Sequence, residues 1–147
     1  MTAATGLSDS PLRSLLGYRL RRAWIGIRAD LAETLRPLDL RMLTYTALVL
    51  IEANPGLSQA RLAGLMTVER PNVVAIVDEL ARRGLVCRRR DPGDRRAYAL
   101  DLTPRGRALS RAATEAVERH EARLFGALSA AERRAIDAAL ERLSERL

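Results

Sequence analysis

From residue 12 onward, apolar positions recur every three or four residues with polar ones between them. Leu12, Leu16, Leu20, Ala23, Trp24, Ile27, Leu31 and Leu35 follow that spacing. They fall on one stripe of a helix about 25 residues long, opened by Ser10 as N-cap with Pro11 in its first turn and ended by Pro37. A helix so long and so one-sided needs a cover for its stripe, either the rest of the domain or a second copy of the chain. Residues 1–9 are small and polar without any period, which predicts a flexible tail.

A second helix is predicted to begin between Asp39 and Arg41. It carries Leu43, Ala47, Leu48 and Ile51 and stops at Asn54-Pro55-Gly56. Ser58 then offers an N-cap for a short helix from Gln59 to about Met66, with Leu62 and Leu65 facing inward. Thr67 and Val68 make a turn. The next helix starts between Glu69 and Pro71, carries Val73, Val74, Ile76, Val77 and Leu80, and closes at Gly84. Two short helices joined through a tight turn form the helix-turn-helix pattern.

Past Gly84 the helical period is lost. Leu85, Val86 and Cys87, then Tyr98, Leu100 and Leu102, flank a basic run with Pro92-Gly93-Asp94 at its middle. That predicts a β-hairpin with a basic loop, a wing. Thr103-Pro104 repeats the cap-plus-proline signal and opens a helix to about Gly126, striped by Leu109, Ala112, Ala116 and Leu124. Ser129 to Glu132 is a capping box opening a last helix striped by Ile136, Leu140, Leu143 and Leu147. The expected fold is mainly α with a small β-hairpin wing. A winged helix-turn-helix module (38–103) sits between helical regions (10–36 and 104–147) suited to dimerisation.

Composition narrows the function. The chain has 147 residues, enough for one core, and only five aromatics: Tyr18, Trp24, Tyr45, Tyr98 and Phe125. Leu, Ala, Val and Ile must therefore fill that core, as the helical periodicity requires. No apolar run of about 18 residues and no leader-type start is evident, so a cytoplasmic protein without membrane association is expected. The single cysteine, Cys87, has no partner for an internal disulfide and cannot build a zinc site alone. Beside Val86 on a strand it reads as a buried small hydrophobe, or, if exposed, as a thiol that Arg88 would make more acidic. His120, the only histidine, is a possible pH sensor but lacks companions for a metal site. No metal or cofactor is expected.

All 25 basic residues are Arg, a bias that GC-rich codons account for. Their placement carries more information. Nine Arg and three Asp lie between Arg82 and Arg107, an excess of +6 out of a net charge of +7. Such a concentrated patch is the footprint of a polyanionic partner, nucleic acid ahead of anionic membrane. Catalytic patterns are missing: no phosphate-cradling glycine loop, no H-E-x-x-H and no serine elbow. An enzyme is therefore not expected. A helical protein-interaction module without DNA binding would explain the striped helices but not the basic wing, and an effector-independent DNA-binding protein stays open.

With the order helix, helix, helix, helix, hairpin, helix, helix and the stretches ERPNVVAIVDELARRGLV and LVCRRRDPGDRRAYALDLTPRG, the chain resembles the MarR family of transcriptional regulators over nearly its whole length. The resemblance implies a homodimer whose first and last two helices interlace and whose winged modules read a pseudo-palindromic double-stranded operator, most simply as a repressor. The family's wing motif falls on Asp94 and Arg96. There the arginine enters the minor groove and the aspartate braces it, which suits a planar guanidinium in a narrow electronegative groove. For Asp94 ordinary turn chemistry is the alternative.

On the recognition helix, Glu69, Arg70, Asn72 and Val73 stand at the end that enters the major groove. Arg70 suits guanine and Asn72 adenine by bidentate contacts, while Val73 touches a thymine methyl or packs inward. Ser58 and Gln59 are candidates for phosphate contacts. Arg88, Arg89, Arg90 and Arg95 would position the wing on the backbone unless they pair with local aspartates. Many relatives release DNA on binding a small aromatic or lipophilic anionic effector. Here Trp24, Met42 and Tyr45 are the candidate walls and Arg21 and Arg28 the candidate anion partners, with core packing as the alternative for the aromatics.

Overall fold

A computed structural model of the chain describes residues 8–90, 92–93 and 98–147. Six helices and three short strands follow in the order α1 (Leu16–Leu35), α2 (Met42–Ala53), β1 (Leu57–Ser58), α3 (Gln59–Met66), α4 (Arg70–Arg82), β2 (Val86–Arg90), β3 (Tyr98–Leu102), α5 (Pro104–Phe125) and α6 (Ala130–Ser144). The strands form one antiparallel sheet in the order β1-β3-β2. The mainly α fold with a β-hairpin wing expected from the pattern is the fold observed.

Local chemistry sets most boundaries. The Ser58 hydroxyl accepts the Arg61 N–H at 3.2 Å and caps α3, and Thr103 Oγ1 does the same for Gly106 N at 3.0 Å at the head of α5. At α6, Ser129 Oγ accepts from Glu132 N at 3.2 Å while the Glu132 carboxylate accepts from Ser129 N at 2.8 Å, a complete capping box. Gly84 takes the left-handed backbone (φ 68°) that ends α4 and turns the chain into β2.

The first helix departs from expectation. Ser10-Pro11 opens only a single 3-10 turn, Ser10–Leu12, and α1 begins at Leu16 after an extended Leu15. The reason lies at Asp9. Its carboxylate receives hydrogen bonds from Arg13 Nε (2.6 Å), Tyr18 OH (2.7 Å) and Arg22 Nη1, which fold the preceding turn back onto α1 as a separate piece. β1 was not anticipated either: Leu57 pairs with Leu100 and Ser58 with Ala99, adding a third strand beside the wing.

One core lies between α2, α3, α4, the base of the hairpin and the inner faces of α1 and α5. Leu35, Leu48, Ile51, Leu62, Val77, Leu80, Leu85 and Leu100 fill it. Leu65, expected inside, is exposed, because the eight-residue α3 buries only Leu62 and Ala63. The buried face of α5 is Gly106, Ser110, Ala113 and His120, rotated from the expected stripe: Ala112 is exposed, and Leu109, Ala116 and Leu124 are half-buried. Among the described residues, the apolar rows of α6 and of the first half of α1 are left uncovered. Leu16, Leu20, Trp24, Ile136, Leu140 and Leu143 are all exposed.

Candidate nucleic-acid interface

The turn between α3 and α4 rests on Thr67, a β-branched residue in left-handed backbone (φ 54°) whose N–H donates to the Gly64 carbonyl at 3.2 Å. Such a conformation is costly for threonine; the Val68 N–H, donating to the Ala63 carbonyl at 3.2 Å, closes the turn beside it. Beyond it Glu69 is the N-cap of α4 by backbone geometry alone, with no side-chain cap bond. Glu69, Arg70 and Asn72 share an open concavity of about 620 Å³ with Ala63, Gly64, Thr67 and Val68, and all three side chains are exposed. Pro71 has no N–H, and the Asn72 and Val73 amides donate to the Glu69 carbonyl at 3.0 and 3.3 Å, so it is the exposed Arg70 and Asn72 side chains that present donors and acceptors to a groove.

Val73 does not belong to that surface. It is fully buried in the core, so of its two expected roles only inward packing remains, and a side chain with no exposed surface cannot meet a base. Val74, one helical step away, is the exposed valine. Ser58 and Gln59 are half-buried at the head of α3, and the Ser58 hydroxyl is occupied as the cap.

The wing strands pair Val86 with Leu102, Cys87 with Asp101, Arg88 with Leu100, Arg89 with Ala99 and Arg90 with Tyr98. Because side chains alternate across a strand, Arg88 and Arg89 serve opposite faces. Arg88 reaches the Asp78 carboxylate on α4. Arg89 donates from Nε to Asp101 Oδ2 at 2.8 Å and again from Nη2, and this carboxylate raises the pKa of the guanidinium. Asp101 Oδ1 also accepts the Gly56 N–H at 3.2 Å. Arg88 and Arg89 thus each pair with a local aspartate, the alternative raised for them, and Arg89 stays 68% exposed while doing so. Arg90 has no ion-pair partner among the described residues and lies opposite exposed Tyr98, which the sequence reading placed only as a strand residue. Asp94, Arg95 and Arg96 lie outside the described residues.

Cys87 is exposed, not buried beside Val86, because the β2 positions after Val86 all lie beyond the core. Its Sγ donates to the Asp101 carbonyl at 3.5 Å. His120 is buried between α5 and α1. Its Nε2 lies 3.1 Å from Asp30 Oδ2 without the alignment of a hydrogen bond, and Arg123 Nη2 donates to that same oxygen at 2.8 Å. The Arg123 hydrogen bond is the main reason the Asp30 carboxyl titrates below its ordinary range.

Between α1 and α2 runs a groove of about 700 Å³. Of the five proposed effector residues, Arg28 and Met42 line it, while Arg21, Trp24 and Tyr45 do not. Tyr45 packs on the core, and Arg21 and Trp24 are exposed on α1 outside the groove. The wall is built instead by Ile25, Ala29 and Ala32, one helical step round from Trp24, together with Leu40 and Leu43. No helix of the described residues is long and apolar enough to cross a membrane.

Residues 40–98 match the family model described as MarR family. A Thauera aromatica protein assigned to transcriptional regulation of the hcr operon is 39% identical over 130 residues, covering 87% of this chain and 78% of its own length. Among solved structures, the transcriptional repressor CouR bound to a 23-mer DNA duplex is 38% identical with a TM-score of 0.88, covering 94% of this chain and 98% of that one. CouR bound to p-coumaroyl-CoA is 35% identical with a TM-score of 0.87, covering 96% and 99%.

Proposed function

The chain belongs to the MarR family of DNA-binding transcriptional regulators, and from that premise we propose that it is a homodimeric repressor of a pseudo-palindromic operator, released by a small aromatic or lipophilic anion. The observation that carries this reading is the exposed start of α4, where Arg70 and Asn72 stand clear of the core at the end that enters a major groove. Arg70 reads guanine and Asn72 adenine. Arg90 and the family-implied Arg96 hold the wing to the backbone and the minor groove, with Asp94 bracing Arg96 and Arg95 on phosphate. Ser58 and Gln59 meet phosphate through the amides at the head of α3.

Dimerisation rests on the uncovered apolar rows of α1 and α6. Leu16, Leu20 and Trp24 on one helix and Ile136, Leu140 and Leu143 on the other leave large apolar side chains in water at helical spacing, as an interaction surface does. The effector reading rests on the α1–α2 groove, apolar along Ile25, Leu40 and Met42 with Arg28 at its rim, and on CouR binding p-coumaroyl-CoA. That ligand joins an apolar aromatic acyl group to the negatively charged phosphates of CoA.

Fluorescence anisotropy of the purified protein on duplexes from the DNA flanking its own gene tests the central reading, with excess nonspecific competitor and a salt series. Competitor-resistant binding with a steep salt slope, weakened by Arg70→Ala, supports it. Binding that competitor abolishes on every inverted repeat offered would count against sequence-specific repression.

A further inference from the structure

One wall of the α1–α2 groove belongs to the recognition helix. Glu79, in the last turn of α4, lines the groove with Arg41 at the head of α2 and Arg28 on α1. Its carboxylate is held from two sides: Arg41 Nη2 donates to Oε2, and Arg83 Nη1 stands 3.7 Å from Oε1. Arg83 also donates from Nη1 to the Asp39 carbonyl at 2.8 Å, with Nη2 3.4 Å from Asp39 Oδ2. Asp39 has left-handed backbone (φ 51°) at the corner between α1 and α2, which presents its carbonyl and carboxylate to the same guanidinium. Asp39, Arg41, Glu79 and Arg83 therefore tie the corner that joins α1 to α2 onto the end of the recognition helix.

The charges of these four residues cancel, whereas Arg28 has no ion-pair partner among the described residues. An anion seated in the groove would meet Arg28, Arg36 and Arg41 on its lining; of these, Arg36 pairs with Glu33 at 2.8 Å on its own side of the groove, and only Arg41 pairs with the recognition helix. The Arg41 side chain is 70% exposed while that of Glu79 is 28% exposed, so Arg41 is the member free to swing. A single exposed ion pair contributes little to stability, which leaves its exchange for a ligand contact easily reversed. A ligand shifts an equilibrium only by binding one state better than the other, and a bond it must break at α4 supplies that difference.

Building on the effector reading above, we propose that Asp39, Arg41, Glu79 and Arg83 transmit occupancy of the groove to the recognition helix: an amphiphilic anion takes Arg41 from Glu79, and α4 then shifts against α2 and loses its fit to DNA.

The test uses full-length wild type, Arg41→Gln, Glu79→Gln and the double variant, with unfolding midpoints recorded on each sample. Operator affinity is measured by anisotropy and ligand binding by calorimetry, with p-coumaroyl-CoA as the probe. Without ligand, each single variant is expected to bind operator about 3- to 10-fold more weakly, and the double variant no more weakly than the singles, because all remove the same bond. With p-coumaroyl-CoA, wild type should lose about 10-fold or more in operator affinity and Glu79→Gln less than about 3-fold, although both bind the ligand. Ligand-free Glu79→Gln matching wild type on the operator would overturn the linkage by itself. Full release of Glu79→Gln by a ligand that binds it normally would overturn the exchange while leaving the groove as effector site. Absence of any binding to wild type would instead remove the effector reading, and the exchange with it.

Discussion

Gly106 faces the backbone of Leu85 so closely that a Cβ built on it would stand 1.9 Å from the Leu85 carbonyl oxygen. That carbonyl also accepts the Thr103 N–H at 3.1 Å, and Thr103 Oγ1 donates to the Gly84 carbonyl at 2.7 Å. The head of α5 is thus docked backbone to backbone on the chain entering the wing. Gly106→Ala must push one element off the other, at a cost of about 1–3 kcal/mol. Urea unfolding should show it as a lowered midpoint, and an unchanged midpoint would mean that α5 slides freely on the wing.

At the recognition helix, three neighbouring substitutions should fail in two ways. Arg70→Ala and Asn72→Ala are expected to lose about 1–3 kcal/mol of discrimination at particular operator positions while leaving stability unchanged. Val73→Ala should instead cost roughly 2 kcal/mol of folding stability, since that side chain lies wholly in the core. On the wing, Arg90→Ala should weaken all sequences alike and reduce the salt slope by about one. Competition assays on single-base operator variants, paired with thermal melts, separate the cases.

The N-terminal turn should respond to acid. Hydrogen bonds from the Tyr18 hydroxyl first, then from Arg13 and Arg22, lower the Asp9 carboxyl from its ordinary 3.8 to about 2. A lowered folded-state pKa means that Asp9 holds the turn at full strength above pH 3.8 and releases it as the pH falls toward 2. NMR shifts of Asp9 and the Tyr18 ring should therefore move together over that interval. Asp9→Asn should abolish the joint movement, and a Tyr18 ring that titrates unchanged in the variant would show that the carboxylate does not hold it.

Leu140 sits mid-helix on α6, exposed at 46%. Leu140→Glu is expected to leave the helical content of a single chain intact and to shift the oligomer toward monomer in size-exclusion light scattering. Operator binding should drop by about a hundredfold, because each half-site would then be bound without the effective concentration supplied by the other. A variant that remains dimeric would place the interface elsewhere.

What could be read from the sequence was what short-range chemistry dictates. Ser58, Thr103 and Ser129 cap the helices assigned to them, and Gly84 closes α4, because a cap needs only neighbours within three residues. The phase of α5 was misjudged because its inward face is Gly106, Ser110, Ala113 and His120, residues too small or too polar to stand out against an Ala-rich helix. Choosing Leu109 and Leu124 followed hydrophobicity, whereas close approach to Leu85 selected the glycine side. β1 is two residues long, and its pairing depends on Leu100, more than forty positions away. The apolar wall of the α1–α2 groove lies one helical step from the aromatic that stands out in the sequence, since Ile25, Ala29 and Ala32 offer less chemical contrast than Trp24. Arg41 and Glu79, thirty-eight residues apart, left no trace in the sequence pattern at all.

Arg88 ties β2 to Asp78 on α4, and Arg89 ties it through Asp101 to Gly56. Strand and recognition helix are thereby linked side chain to side chain, much like the two legs of a calliper. In the proposed dimer the span across one half-site is fixed within each protomer, and only the separation between the two callipers can be adjusted. Substitutions far from the DNA should then alter tolerance for the spacing between half-sites, while leaving the preferred bases within each half-site as they were.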